Sequence, residues 1–279
     1  MEKVILITGA ARGIGRASAL RLMADGHTVY GGDIAFDEMA DLEQEGMRRL
    51  PMDVTDDAQV KAAVATVVEQ QGRIDGLFAN AGYTCMGPIE CVTIDEAKAN
   101  FEVNVWGVAR AVKAVLPHMR SAGQGHIVIT SSVVGLVPVP GMAWYPATKH
   151  ALEAFSNALR MEVKRFGIRV AIINPGFIQT NLLDASLPTL DRAAQSEFAD
   201  VYAQELENFR ELFTKGFNNG ASVDTISKAV SKAFASKNPK HHFRPNADSI
   251  AGTISARFMP DSISDAYTYK TFLGDIKAD

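Results

Sequence analysis

At 279 residues, 47% hydrophobic and 22% charged, the chain is large enough for one sizeable core, and no Pro/Gly/Ser-rich or charge-rich stretch divides it. Its formal net charge of −4, with Lys and Arg scattered, supplies no basic field, so nucleic acid and an anionic membrane surface are excluded as partners. Only Cys85 and Cys91 are present, close together and without metal-ligand spacing, which excludes a disulfide framework and a zinc site and fits a reducing, cytoplasmic setting.

From Met1 to Ala11 a short apolar run, acidic at Glu2, leads straight into glycines and reads as a buried strand rather than a leader. Nowhere do the ~18 apolar residues of a bilayer span occur. Strand-like runs then alternate with segments of helical period: 4–8 and 14–24, 28–32 and 36–45, 48–52 and 58–71, 76–79 and 95–119, 126–130 and 145–166, then 168–173. Runs that are apolar almost throughout, such as Ile127-Val128-Ile129 and Val170-Ala171-Ile172-Ile173, need helices on both faces. The expected α/β fold is a Rossmann-type doubly wound parallel sheet in a single domain. After Pro175-Gly176 the alternation stops, and residues 179–220 read as a helical insertion without a strand. It lies past a strand's C-terminal end, where open α/β sheets bind ligands, and is expected to be a substrate lid. Residues 221–235 read as a helix capped by Ser222, and 241–279 as a tail of unassigned role.

Between the first strand and the first helix stands Thr8-Gly9-Ala10-Ala11-Arg12-Gly13-Ile14-Gly15. Its glycines allow a tight turn and let backbone approach a pyrophosphate at the helix N-terminus, which points to a dinucleotide. Asp33 closes the second strand twenty residues beyond Gly13, the usual distance to the acid that holds the adenosine ribose hydroxyls. A carboxylate there repels a 2′-phosphate and favours NAD over NADP; the competing role is a turn or N-cap aspartate. Tyr145 and Lys149 lie four apart on a helical segment and so share a face. Hydride transfer to a ketone needs a proton for the developing alkoxide, and a tyrosine exchanges one near neutrality only if made more acidic. The lysine ammonium, oxidised nicotinamide and, with Pro146 in the first helical turn, the helix macrodipole all favour the phenolate. Ser132, at the end of the fifth strand, offers a hydroxyl to a substrate oxygen, with Ser131 as its competitor.

The TGxxxGxG spacing, followed in order by Asn80-Ala81-Gly82, Asn104, Ser132, Tyr145-Pro-Ala-Thr-Lys149 and Pro175-Gly176, resembles the short-chain dehydrogenase/reductase family as far as about Leu182. The thirteen-residue step from Ser132 to Tyr145 matches that family too. The resemblance implies an oxidoreductase interconverting a secondary alcohol and a ketone, with Ser132, Tyr145, Lys149 and Asn104 as catalytic residues. Tyr145 would be the general acid/base, Lys149 would acidify it and hold the nicotinamide ribose, and Ser132 would orient substrate. Asn104 would hold a relay water, or pin helix to strand. Cofactor contacts are implied for Gly9, Arg12, Gly13, Ile14, Gly15, Asp33, Asn80, Ala81, Gly82, Tyr145, Lys149, Pro175, Gly176 and Thr180. Asp53 and Val54 are implied as adenine contacts, with capping of the next helix as the alternative for Asp53. Arg12 stands where NADP-using relatives often carry a base, whereas Ile34 stands where many of them carry arginine. The expected cofactor is therefore NAD, with NADP less favoured.

The long insertion makes the chain resemble steroid and retinol dehydrogenase-like members. Val134, Leu136 to Pro140, Met142, Trp144, Phe177, Leu182 and Leu183 would form an apolar wall for a small hydrophobic alcohol or ketone, or else fill the core. Relatives pair through the helices that hold Asn104 and Tyr145, which implies a homodimer or homotetramer. His241-His242 and the other histidines lack a partner set at metal spacing and are read as structural, with no metal. Rival readings are a non-catalytic NAD-sensing regulatory protein, which should show a damaged catalytic set, and a 3-oxoacyl reductase-like enzyme. A nucleotide-sugar epimerase or dehydratase is disfavoured by the lack of a larger C-terminal substrate domain.

Overall fold

Residues 2–180 and 182–274 are described by the computed structural model. β1 (Val4–Thr8), α1 (Gly13–Ala24), β2 (Thr28–Asp33), α2 (Ala40–Gln44), β3 (Arg48–Pro51), α3 (Asp57–Gln71) and β4 (Gly76–Ala79) make the first half. α4 (Ile94–Phe101), α5 (Val108–Ala122), β5 (Gly125–Thr130), α6 (Trp144–Val163) and β6 (Ile168–Ile173) follow. Then come β7 (Ile178–Gln179), α7 (Leu182–Ala193), α8 (Ala203–Asn218), β8 (Ala221–Ser222), α9 (Val223–Ala235), β9 (His242–Phe243), α10 (Ala247–Phe258) and α11 (Asp261–Phe272).

Seven strands form one sheet in the order β3-β2-β1-β4-β5-β6-β9, every pair parallel. Side chains of successive strand residues leave opposite faces, so each apolar strand fills two layers. Leu6, Leu77, Ile127 and Val170 pack with α3, α5 and α6, while Ile5, Ile7, Phe78, Val128 and Ala171 pack with α1 and α9. This is the Rossmann-type doubly wound architecture that the run of apolar strands requires. The chain runs from β1 outward to β2 and β3, then returns to β4 on the other side of β1, leaving a crevice above β1 and β4. The registers Thr8↔Ala79 and Thr130↔Ile173 bring the C-terminal ends of these strands level. Among the described residues, no helix is long and apolar enough to cross a membrane.

Several elements depart from the sequence expectation. The helix expected over 95–119 is interrupted: Glu102–Gly107 forms a π-helical turn between α4 and α5. Residues 36–45 split into a 3₁₀ turn at Phe36–Met39 and the short α2. The 179–220 insertion is helical as expected, bracketed by β7 and β8, which pair in parallel and take only Gln179 from it. The tail supplies the seventh strand, β9, whose two residues are too few to show a period. Ser222 caps α9 as expected, its hydroxyl accepting from the Asp224 amide. Residues 275–279 of the tail and the side chain of Leu183 lie outside the described residues.

Candidate active site

The glycine turn is shaped by contacts that leave no room for side chains. Gly9 and Gly13 have φ of +69° and +52°, in the left-handed region that favours glycine. A Cβ on Gly9 would lie 2.8 Å from the Ala81 Cα, and one on Gly15 would lie 1.9 Å from the Gly9 carbonyl oxygen. Asn80 laces the turn to the neighbouring strands: its Nδ2 donates to the carbonyls of Thr8 and Gly9 at 3.3 and 3.2 Å, and its Oδ1 accepts from the Thr130 hydroxyl at 3.2 Å. The Thr8 hydroxyl accepts from the amides of Asn80 and Ala81, both at 3.0 Å. Thr180 comes to the same place, 3.6 Å from where a Gly13 Cβ would be.

At the head of α1 the N-cap position is Arg12, which makes no side-chain cap, and the first turn holds no acid. An uncapped helix start with positive partial charge, walled by glycines, fits a phosphate group. Asp33 ends β2 beside this turn, one carboxylate oxygen accepting from Ala11 N and the other from Ala35 N, each at 2.9 Å. Next to it Ile34 is 78% exposed. Arg12 forms a two-pronged ion pair with Glu38. Asp53 does not cap the next helix: Asp56 does, while Asp53 turns back on Thr55, accepting from its amide and hydroxyl at 2.8 Å. Val54 is buried against the π turn, where a Gly107 Cβ would meet it at 2.7 Å. These residues could hold a dinucleotide, with Gly9, Gly13, Ile14 and Gly15 towards its phosphates and Asp33 towards its ribose.

Across the crevice, α6 begins at Trp144, so Tyr145 and Pro146 occupy its first turn as expected. The hydroxyls of Ser132 and Thr84 face the Tyr145 hydroxyl. Ser131 instead turns towards the Lys149 carbonyl, at 3.5 Å, so of the two serines it is Ser132 that faces the Tyr145 hydroxyl. Lys149 is 4% exposed; its Nζ donates to the Thr130 carbonyl at 3.0 Å and lies 5.4 Å from the centre of the Tyr145 ring.

Burial pushes Tyr145 up to about 12 against the pull of Ser132 and Thr84, and pushes Lys149 down to about 8. Burial thus favours the neutral form of each group, opposed at Tyr145 by the Ser132 and Thr84 hydroxyls and at Lys149 by Glu153.

Asn104 is fully buried in the π turn. Its Oδ1 accepts from Tyr83 N at 3.0 Å, and its Nδ2 donates to Tyr83 O at 2.9 Å and to the Thr148 hydroxyl at 3.1 Å. Of the two roles expected for Asn104, these contacts are those of the pin: they fix the loop after Asn80-Ala81-Gly82 to α6. Gly82 permits it, since a Cβ there would stand 2.9 Å from Asn104 Oδ1. The Pro175 carbonyl accepts from Val133 N at 2.8 Å and from the Ser132 hydroxyl at 3.3 Å, holding the serine turn against β6. Gly176 donates to Asn246 Oδ1 at 2.9 Å, so it seats the start of α10. Two residues facing Tyr145 and Lys149 were not foreseen. Thr84 sits two residues past the Asn80-Ala81-Gly82 motif, and Glu153 one turn beyond Lys149; the i,i+4 spacing of Glu153 was the available signal.

Beside Tyr145 a third apolar cluster gathers Met86, Val139, Met142, Leu206, Phe209 and Phe213, with Val134 and Phe177 packed against it. Most of it comes from the 179–220 insertion and from the loop before α6. Four of the expected wall residues, Val134, Val139, Met142 and Phe177, are thereby assembled.

A family model for short chain dehydrogenases matches residues 3–191. The chain is 33% identical to a 3-ketodihydrosphingosine reductase of Bacteroides thetaiotaomicron over 264 residues, covering 94% of each protein. Among solved structures, a short-chain dehydrogenase from Streptomyces avermitilis superposes with a TM-score of 0.81 at 31% identity, covering 97% of each chain. A short chain dehydrogenase/reductase from Burkholderia phymatum in complex with NAD superposes with a TM-score of 0.80 at 26% identity, covering 95% of each.

Proposed function

The chain belongs to the short-chain dehydrogenase family of oxidoreductases, and on that premise we propose that it interconverts a hydrophobic secondary alcohol and its ketone with NAD. The observation that carries this reading is the Tyr145 hydroxyl, faced by Ser132 and Thr84, with Lys149 one turn away and an apolar cluster alongside. When bound, the nicotinamide supplies hydride transfer at the carbinol or carbonyl carbon. The chain's own residues then manage the proton and the geometry. In reduction, Tyr145 gives its hydroxyl proton to the forming alkoxide oxygen, and Ser132 donates a hydrogen bond to that oxygen as its charge grows. In oxidation Tyr145 receives the proton. Because burial alone keeps the tyrosine protonated, Lys149 must carry its charge for the phenolate to form.

Three features support NAD over NADP. Asp33 presents a carboxylate where a 2′-phosphate would lie, Glu38 neutralises Arg12, and Ile34 offers an apolar surface beside them. The Bacteroides relative is named as a 3-ketodihydrosphingosine reductase, which agrees with a ketone substrate; the 179–220 insertion, which supplies much of the apolar cluster, would be the lid over it. Exposed Trp106 and Met161, on the π turn and α6, fit the expected homodimer or homotetramer through those elements. A cytoplasmic setting completes the reading.

The test is a spectrophotometric assay of reduced nicotinamide with NAD and with NADP. The panel runs from short aliphatic to long-chain and steroidal alcohols and ketones, with Tyr145→Phe as control. Turnover with NAD that vanishes in the control supports the reading; tight NAD binding with no turnover in either direction moves it to the sensor.

A further inference from the structure

One turn beyond Lys149 on α6, Glu153 is 7% exposed and plays no part in the reaction above. Its Oε1 accepts from Asn174 Nδ2 at 2.6 Å, and the same amide donates to the carbonyl oxygen of Ser132 at 3.3 Å. Asn174 is itself fixed: its backbone N–H donates to Phe243 O at 2.9 Å, and its Oδ1 accepts from His242 Nδ1 at 3.1 Å. The Ser131 hydroxyl also reaches the Glu153 carboxyl. One carboxylate thus joins α6 to the ends of β5, β6 and β9.

Resting on the proposed reaction at this site, we propose that Glu153 is a positioning residue that fastens the helix bearing Tyr145 and Lys149 to the strand ends bearing Ser132 and Asn174. It also turns its charge towards the lysine. The groups facing it are Lys149 and His150 on α6, Ser131 after β5, Asn174 after β6, and His242 with Arg244 at β9. His242 Nδ1 lies 3.7 Å from Oε2, but its imidazole is pushed down to about 4 and stays neutral, so it does not cancel the carboxylate. Burial raises Glu153, while Ser131 and Asn174 favour its anion. A charge on Glu153 opposes the desolvation that lowers Lys149. An ionised lysine is what the phenolate of Tyr145 requires.

The experiment uses the full chain with lysines labelled at Cε with ¹³C, the Lys149 resonance assigned through Lys149→Arg. It follows the Lys149 titration in wild type, Glu153→Gln and Glu153→Asp, beside NAD affinity and alcohol oxidation against pH. In Glu153→Gln the Lys149 midpoint should fall by about one unit. The kcat should fall about tenfold at little-changed KM for NAD. Glu153→Asp should restore the lysine midpoint but only part of kcat, because its shorter side chain retreats from Asn174. An unmoved Lys149 midpoint in folded Glu153→Gln overturns the proposal. Should that variant not fold, Glu153→Asp decides: wild-type kcat overturns the positioning role, and a lowered kcat with unchanged KM supports it. A wild type that turns over no alcohol would instead refute the functional reading, and the lysine titration would still answer for Glu153.

Discussion

The two sides of the crevice are made of different material. Along β1 and β2 the site is backbone: glycines on which an added Cβ would meet other main chain at 1.9 to 2.8 Å, an uncapped helix start and a carboxylate bound to amides. Along β5 and β6 it is side chains, with Lys149, Glu153, Asn174 and Ser132 buried and Tyr145 partly buried, tied to one another and to strand-end carbonyls. The first side punishes added atoms and the second punishes removed polar ones. Cofactor binding and proton transfer should therefore fail separately.

The largest expected effect tests that separation directly. Tyr145→Phe should lower turnover by ~10²–10⁴-fold while leaving NAD affinity, read by fluorescence titration, near wild type. If affinity collapses as well, the two sides are coupled more tightly than their contacts indicate. On the other side, Gly15→Ala forces a methyl into the Gly9 carbonyl and should destabilise the fold by about 1–3 kcal/mol. Calorimetry and NAD titration would read this as a lower Tm together with weakened binding. A smaller effect sharpens cofactor choice: Glu38→Gln releases Arg12, and the ratio of NADP to NAD activity should rise about tenfold. An unchanged ratio in initial rates would assign the choice to Asp33.

The smallest effect concerns the buried chain behind the lysine. His242 is held near 4 in the folded protein against an ordinary 6.5, so the unfolded chain binds more protons between those values. Stability should be lost as pH falls from 6.5 towards 4. The fall in Tm over that window should be shallower in His242→Gln.

The same division decided what could be read from the sequence. Glycines that shape a turn announce themselves locally, so the tight turn before α1 and Asp33 beside it were legible, as was the alternation that fills two layers around one sheet. Tyr145 and Lys149 were legible because a helix period ties them. The support behind them was not: Glu153 meets Asn174 across twenty-one residues and Asn174 meets His242 across sixty-eight, distances that no local pattern spans. β9 was missed because a two-residue strand is recognised only by its neighbour β6. The effect of burial on Tyr145 and Lys149 was not legible either, because spacing reports nearness of charge and says nothing about desolvation.

The widened turn at Glu102–Gly107 has a consequence for chain length. An α-helix advances about 100° per residue, so one turn with a residue to spare resets the orientation of everything after it. Before the reset, the helix directs Asn100 into the loop at Tyr83; Asn104 grips the same loop from inside the wide turn; after it, Val108, Val112, Val115 and Met119 lie against the sheet. Excising any single residue between 102 and 107 would rewind the coil into a regular helix, and the two halves could no longer both face their partners. A shift of reading by one residue, with every side-chain type kept, would undo what most point substitutions there would leave intact.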